Sequence, residues 1–138
     1  MAVNTRFATG IHTLVLLAAE PDTLQTSNDI AAKLNTNAVV IRRVLASLQK
    51  AELVSSQKGP SGGSRLSRPA KSITLRDIYR AVENGAVFHA PSLSGSAALR
   101  VASTLDKVFS ESQRALEQEL DKTTLAQLVK KLGHKNKK

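Results

Sequence analysis

Residues 37–51 read NAVVIRRVLASLQKA, and the spacing inside this stretch decides how the rest of the chain is arranged. Ile41, Val44, Leu45 and Leu48 stand at i, i+3, i+4 and i+7, so a helix starting after Asn37 has one stripe that a core must cover. The opposite face carries Val39, Arg42, Arg43, Ala46, Gln49 and Lys50. It offers guanidinium, ammonium and amide groups and no carboxylate. Such a face suits a groove lined by phosphates and base edges.

Just upstream, Thr26-Ser27-Asn28-Asp29 has capping-box spacing, and Ile30, Ala31 and Leu34 make the apolar side of a short helix. Asn35-Thr36-Asn37 is a tight turn, with Asn37 the N-cap of the next helix. Two short helices joined this way form a helix-turn-helix, a spacing that plain helical bundles also use. Downstream, Leu53-Val54-Ser55-Ser56-Gln57 has β character, Lys58-Gly59-Pro60-Ser61-Gly62-Gly63 is a turn, and Ser64-Arg65-Leu66-Ser67 resumes β character before Pro69. This predicts a two-stranded wing. Gly59, Gly62 and Gly63 are expected to take positive φ and let the backbone approach a ligand, with Lys58 and Arg65 supplying charge. Neither GxGxxG nor GxxxxGK[ST] occurs, which argues against a nucleotide-binding loop.

Further out, Phe7, Ala8, Ile11, Leu14, Val15 and Ala18 predict a first helix that Asn4 or Thr5 could cap. Arg6 lies in its opening turn, where the helix dipole favours an anion such as a DNA phosphate. Thr74-Leu75-Arg76-Asp77 is a second capping-box spacing, opening a helix with Leu75, Ile78, Tyr79 and Val82 inward that ends around residues 83–85. Residues 85–95, GAVFHAPSLSG, read as a loop in which Val87, Phe88 and Leu93 are free to dock. Over residues 96–123 a long helix returns, with Ala98, Val101, Ala102, Leu105, Val108, Phe109, Ala115, Leu116 and Leu120 on one side. Pairing of Val101, Leu105, Val108, Phe109, Leu116 and Leu120 with their copies across a two-fold axis explains such a face; the alternative is that the helix folds back on its own domain. Thr124-Leu125-Ala126-Gln127 opens a last helix, with Leu125, Leu128, Val129 and Leu132 inward and Gly133 ending it. The expected organisation is a winged helix-turn-helix domain over 1–83, a loop over 84–95, a dimerisation helix and C-terminal helix over 96–133, and a basic tail over 134–138.

At 138 residues and 41 % hydrophobic content the chain has enough material for one domain with an appendage, burying roughly two-thirds of its unfolded surface. The net charge of +9 points to a polyanion. Over residues 41–76 the basic residues Arg42, Arg43, Lys50, Lys58, Arg65, Arg68, Lys71 and Arg76 face a single acid, Glu52. The absence of cysteine excludes disulfides, thiol switching and thiolate-ligated zinc or iron–sulfur sites. The longest apolar run, residues 14–19, is too short for a bilayer, and MAVNTRFATG lacks a signal peptide's apolar core, so a cytoplasmic protein with no membrane partner is expected. His12, His89 and His134 are scattered and HExxH does not occur, so no enzyme and no metal site is expected. His89 is the histidine to test for a ligand.

The string KAELVSSQKGPSGGSRLSRP followed by ITLRDIYRAVE resembles the Rrf2 family of bacterial winged-helix regulators, whose wing reads RGPGGGYRLARP. The likeness covers residues 1–83, and the long helix fits the family's dimerisation helix. The resemblance implies a mainly α fold with a small β-hairpin, double-stranded DNA as partner and a homodimer. It sets Lys58 at the wing position that enters the minor groove, and Asn37, Val39, Arg42 and Arg43 at base-contacting positions. Ser64 replaces the wing tyrosine, which would loosen the wing. Where the family's sensors carry cysteines this chain has GAVFHAPSLSG, so cluster and thiol sensing are not inherited and no cofactor is expected. LNTNAVVIRRVLASLQKAEL is similar to the subgroup without a cluster. The reading is a sequence-specific, homodimeric DNA-binding regulator, a repressor, with a small-molecule or protein effector unidentified. The alternative is a winged-helix protein-interaction module without specific DNA binding.

Overall fold

The computed structural model describes residues 5–83, 85–88 and 95–136. Asn4, Asn84, His89, Leu93, Lys137 and Lys138 lie outside these, as do the side chains of Ala98, His134 and Lys135. Helix α1 spans Arg6–Ala19, α2 Ser27–Leu34 and α3 Ala38–Lys50. All four stripe residues of α3 are buried, Ile41 and Leu48 completely. Asn37 caps α3, its Oδ1 accepting the Val39 N–H at 2.7 Å. At the start of α2 the Thr26 hydroxyl accepts the Asp29 N–H and the Asp29 carboxylate accepts the Thr26 N–H, both at 3.0 Å. Between the two helices Asn35 takes the left-handed conformation, which asparagine tolerates better than most residues. The turn of the helix-turn-helix therefore follows from local chemistry.

Helix α4 (Leu75–Val82) opens with the second capping box, Thr74 with Asp77. It packs with α3 against α1. Being covered from two sides, α1 buries a different set from the expected stripe: Gly10, Thr13, Leu14 and Leu17 are buried, whereas Ala8 is exposed. Phe7, Ile11, Val15 and Ala18 pack at the edge of the core. A Cβ on Gly10 would lie 3.2 Å from Val82 Cγ1, so glycine there allows α1 and α4 to approach. Thr5 occupies the N-cap position of α1, but its side chain makes no capping hydrogen bond. Tyr79 of α4 is buried with its ring edge-on to Phe7, centroids 5.5 Å apart.

The wing is an antiparallel pair, β1 (Val54–Gln57) and β2 (Gly63–Leu66), in the register Val54 with Leu66 and Gln57 with Gly63. Gln25 joins it. Its N–H donates to Ser64 O at 3.0 Å and its carbonyl accepts the Ser64 N–H at 2.8 Å. Its side chain bonds Leu16 O and Lys33 Nζ, so one residue stitches α1, α2 and the wing together. Ser64 is consequently buried, its Oγ 2.8 Å from Ser56 Oγ, and the wing base is tight where a loosened one was expected. Gly59 and Gly63 take positive φ as expected. Gly62 does not; it is glycine for space, because a Cβ there would lie 2.1 Å from the Gln57 carbonyl oxygen.

Helices α5 (Ser96–Leu120) and α6 (Leu125–Asn136) complete the chain. Thr124 and Gln127 form a third capping box on α6, with Leu125 fully buried and its N–H donating to Ile73 O at 2.7 Å. Helix α6 packs on α1 and on the 3-10 turn Ala70–Ser72. Gly133 does not end it: that residue lacks the left-handed backbone of a helix stop, and the helix runs through His134 to Asn136. Leu128 and Val129 are half-buried, and Leu132 is exposed. Helix α5 differs from every other helix. None of its described side chains is buried; Val101 and Val108 are 58 % and 49 % exposed, and Leu105, Phe109 and Leu120 are half-buried. Its main neighbour is α4. Phe88 packs on Phe109 with ring centroids 5.5 Å apart, while Val87 and Phe88 stay more than half exposed.

Candidate nucleic-acid interface

With its apolar stripe buried, α3 turns Val39, Val40, Arg42, Arg43, Ala46, Gln49 and Lys50 outward. The wing folds back beside it. A shallow groove between them is lined by Arg42, Ala46 and Gln49 of α3, Gln57 and Gly62 of the wing, and Ser27 at the start of α2. Arg42 and the wing glycines Gly59, Gly62 and Gly63 are thus brought to one groove. Strand alternation puts Ser56 and Ser64 on the groove side and Ser55 with Arg65 on the outer side, so Arg65 faces away from α3. Lys58 is exposed at the entry to the wing turn, and Lys50 sits in the last turn of α3, where a cation complements the helix dipole.

Arg43 lies on the other flank of α3. It shares a second cleft with Arg6, Thr5, Val40, Ser47 and Val82. Arg6 is already engaged there, its Nη2 3.0 Å from Glu83 Oε1. Among the described residues no carboxylate comes within 4.0 Å of Arg42, Arg43, Lys50, Lys58 or Arg65. Three arginines elsewhere are paired, Arg68 with Asp77, and Arg76 and Arg80 with Glu117, whereas Arg100 and Arg114 of α5 make no such pair among the described residues. Asn37 spends its side-chain oxygen on the cap, and the residue is exposed. Ser27, Val40 and Gln57 border these clefts and were not singled out from the sequence. The capping box at residues 26–29 was a signal for Ser27, since it fixes where the N-terminus of α2 emerges.

Comparison with known proteins agrees with this architecture. YwnA of Bacillus subtilis (strain 168), named as a helix-turn-helix-type transcriptional regulator, is 35 % identical over 134 residues, covering 94 % of this chain and 98 % of that one. The crystal structure of a transcriptional regulator from Lactobacillus plantarum superposes with a TM-score of 0.81 at 26 % identity, covering 94 % of this chain and 91 % of the other. IscR of T. potens superposes with a TM-score of 0.70 at 25 % identity, over 96 % and 88 % of the two chains. The Rrf2 family model, described as an iron-dependent transcriptional regulator, matches residues 3–131. Iron does not fit the side chains present: the chain has no cysteine, and among the described residues no three of His, Asp or Glu cluster as metal ligands. Nor, among the described residues, is any helix long and apolar enough to cross a membrane. With the family model matching nearly the whole chain and the winged helix-turn-helix in place, the protein belongs to the Rrf2 family and is a DNA-binding transcriptional regulator, not an enzyme.

Proposed function

We propose that the protein acts as a homodimeric, sequence-specific repressor in which α3 enters the major groove and the wing follows the adjacent minor groove. The observation that carries this is the basic face of α3 and the wing, where among the described residues no carboxylate comes within 4.0 Å of Arg42, Arg43, Lys50, Lys58 or Arg65. Arg42 and Arg43 have the planar fork that recognises guanine O6 and N7, and exposed Val39 suits a thymine methyl. The amide nitrogen of Asn37 stands beside them at the start of α3. Lys58 serves the minor groove, while Gly59, Gly62 and Gly63 keep the wing backbone slim enough to approach it. Lys50, Arg65 and Arg6 hold phosphates, which fixes register without reading sequence. For Arg6 this requires sharing its guanidinium between Glu83 and the phosphate.

The dimer rests on α5. Val101, Leu105, Val108, Phe109, Leu116 and Leu120 form an apolar stripe that the described residues only partly cover, with Val101, Val108 and Leu116 exposed. Pairing two such stripes across a two-fold axis covers both and presents two α3 helices to half-sites roughly 34 Å apart. A dimer seated on a promoter in this way excludes polymerase, so the regulator represses.

The test is binding to the protein's own upstream DNA and to random duplex of equal length, titrated across salt. The expected result is affinity for its own DNA at least about 10³-fold higher than for random duplex. Arg43→Ala should relax base preference, whereas Lys58→Ala should weaken binding to both duplexes and reduce the salt slope by about one. Equal losses on both duplexes for both variants would refute the division between reading and holding. No DNA affinity at any salt would leave an interaction module.

A further inference from the structure

Helix α5 is held to the DNA-binding part of the molecule by a polar seam. Gln113, Glu117 and Asp121 stand four residues apart, so they share one face of α5 and its C-terminal end. Opposite them are Arg76, Tyr79 and Arg80 of α4, which share a face in the same way. Glu117 Oε1 accepts from Nε of both Arg76 and Arg80, and its other oxygen accepts the Gln113 amide N–H at 2.9 Å. The same Gln113 amide nitrogen donates to the Tyr79 hydroxyl at 3.1 Å, and Gln113 Oε1 accepts the Val87 N–H at 3.0 Å. Arg76 also reaches Asp121 at 3.9 Å. Tyr79 continues the chain of contacts, its ring resting on Phe7 of α1.

An apolar contact is non-directional and lets two helices slide or rotate at small cost, whereas charge-assisted hydrogen bonds fix both distance and angle. None of the described α5 side chains is buried, and the side-chain hydrogen bonds between α5 and α4 lie in this seam. We propose that Gln113 and Glu117 are positioning residues that lock the angle between α5 and α4 and thereby set the half-site separation that a dimer reads. The proposal rests on the homodimer reading above. Neither residue belongs to the DNA-facing set or to the apolar stripe. They act by fixing the geometry between the two: a rigid joint makes the second half-site contact effectively intramolecular at one separation only.

The experiment compares wild type, Gln113→Leu and Glu117→Gln on duplexes with one half-site and on full sites whose half-site separation is varied one base pair at a time. Sedimentation equilibrium on each protein reports the dimer. Wild type should show one sharp optimum of separation. In Gln113→Leu and Glu117→Gln, affinity at that optimum should fall about tenfold, equivalent to about 1.4 kcal/mol, and the optimum should broaden. Single-half-site affinity and dimer dissociation should stay within about twofold of wild type. An unchanged separation profile in both single variants, with the dimer intact, would overturn the proposal. So would a loss on the single half-site equal to that on the full site, which would mean a damaged winged domain. A wild-type protein that is monomeric at DNA-binding concentrations overturns the homodimer reading itself, and sedimentation shows this before any variant is made.

Discussion

Helices α3 and α5 have the same kind of sequence, an apolar stripe at helical spacing with charged residues on the other side, yet the chain treats them differently. The stripe of α3 lies in the core, between zero and 6 % exposed. That of α5 has no buried member among the described residues, being half-buried at Leu105, Phe109 and Leu120 and exposed at Val101, Val108 and Leu116, and Gln113 and Glu117 bond the helix to α4. Periodicity reports which face of a helix is apolar. It says nothing of whether the cover comes from the same chain. Where the cover is internal, apolar burial holds the helix; where it is not, the chain has to orient the helix by other means.

The sharpest contrast comes from making the same kind of truncation on both stripes. Leu48→Ala should cost about 2–5 kcal/mol of stability in urea unfolding, because it opens a cavity at a fully buried site. Val108→Ala should cost little that is independent of protein concentration, since Val108 is half exposed in the single chain. Its effect should appear as a change in the concentration dependence of unfolding. Equal, concentration-independent losses at both positions would show that the α5 stripe is covered within its own chain. Next in size is Val108→Glu. A carboxylate forced into an apolar dimer interface should weaken association by about a hundredfold or more in sedimentation equilibrium, with helical circular dichroism unchanged. Retention of the wild-type dimer would remove the stripe from the interface.

Much of this was legible because it is local. The α3 stripe, the capping boxes at Thr26, Thr74 and Thr124, and the Asn37 cap each depend on residues within about two turns, and all form as the spacing predicts. The exposed basic set on α3 follows from the same periodicity, since whatever is opposite a buried stripe faces out. Five features were not legible, each for a stated reason. Gln25 pairs with Ser64, and Arg6 with Glu83, across separations that no spacing rule reaches. The buried set of α1 includes Thr13 and Gly10, whose composition does not advertise burial. Gly133 looks like a stop but takes no left-handed backbone. Arg65 looks like a groove residue until the strand register turns it outward.

A smaller effect separates the starts of the two helices. Asn37→Ala should cost about 1 kcal/mol, because the Val39 N–H loses its acceptor, and Asn37→Gly only a few tenths. Helix α5 has no equivalent: Gly95 precedes it with φ 102° and no capping side chain. Capping therefore steadies α3 and not α5, and unfolding midpoints of the two Asn37 variants check this. A loss for Asn37→Gly as large as for Asn37→Ala would mean that the residue acts through contacts other than its cap.

The last difference is one of pH. The α3 stripe has no ionisable group, but the α5 seam turns on Glu117, which accepts from Gln113, Arg80 and Arg76. The Gln113 amide, ahead of the two guanidiniums, holds the Glu117 carboxyl below the ordinary glutamate range, against a smaller opposing effect of burial. A carboxyl whose pKa is lower folded than unfolded contributes stability that is fully present above the ordinary glutamate range. That contribution is lost as pH falls through the depressed folded value. Acidification should therefore loosen α5 from α4 while the α3 core persists. An NMR titration should show the Gln113 side-chain amide and the Val87 N–H shifting together on the acid side, before the methyl groups of Ile41 and Leu48 lose their dispersion. Asp29 titrates in the same direction, its carboxyl lowered by the Thr26 N–H and hydroxyl, so the start of α2 is the control that must be followed in parallel. In Glu117→Gln the shared shift at Gln113 and Val87 should vanish and that at α2 should remain. If it persists, another group controls the seam, and the contrast between an apolar seat for α3 and an ionic one for α5 fails.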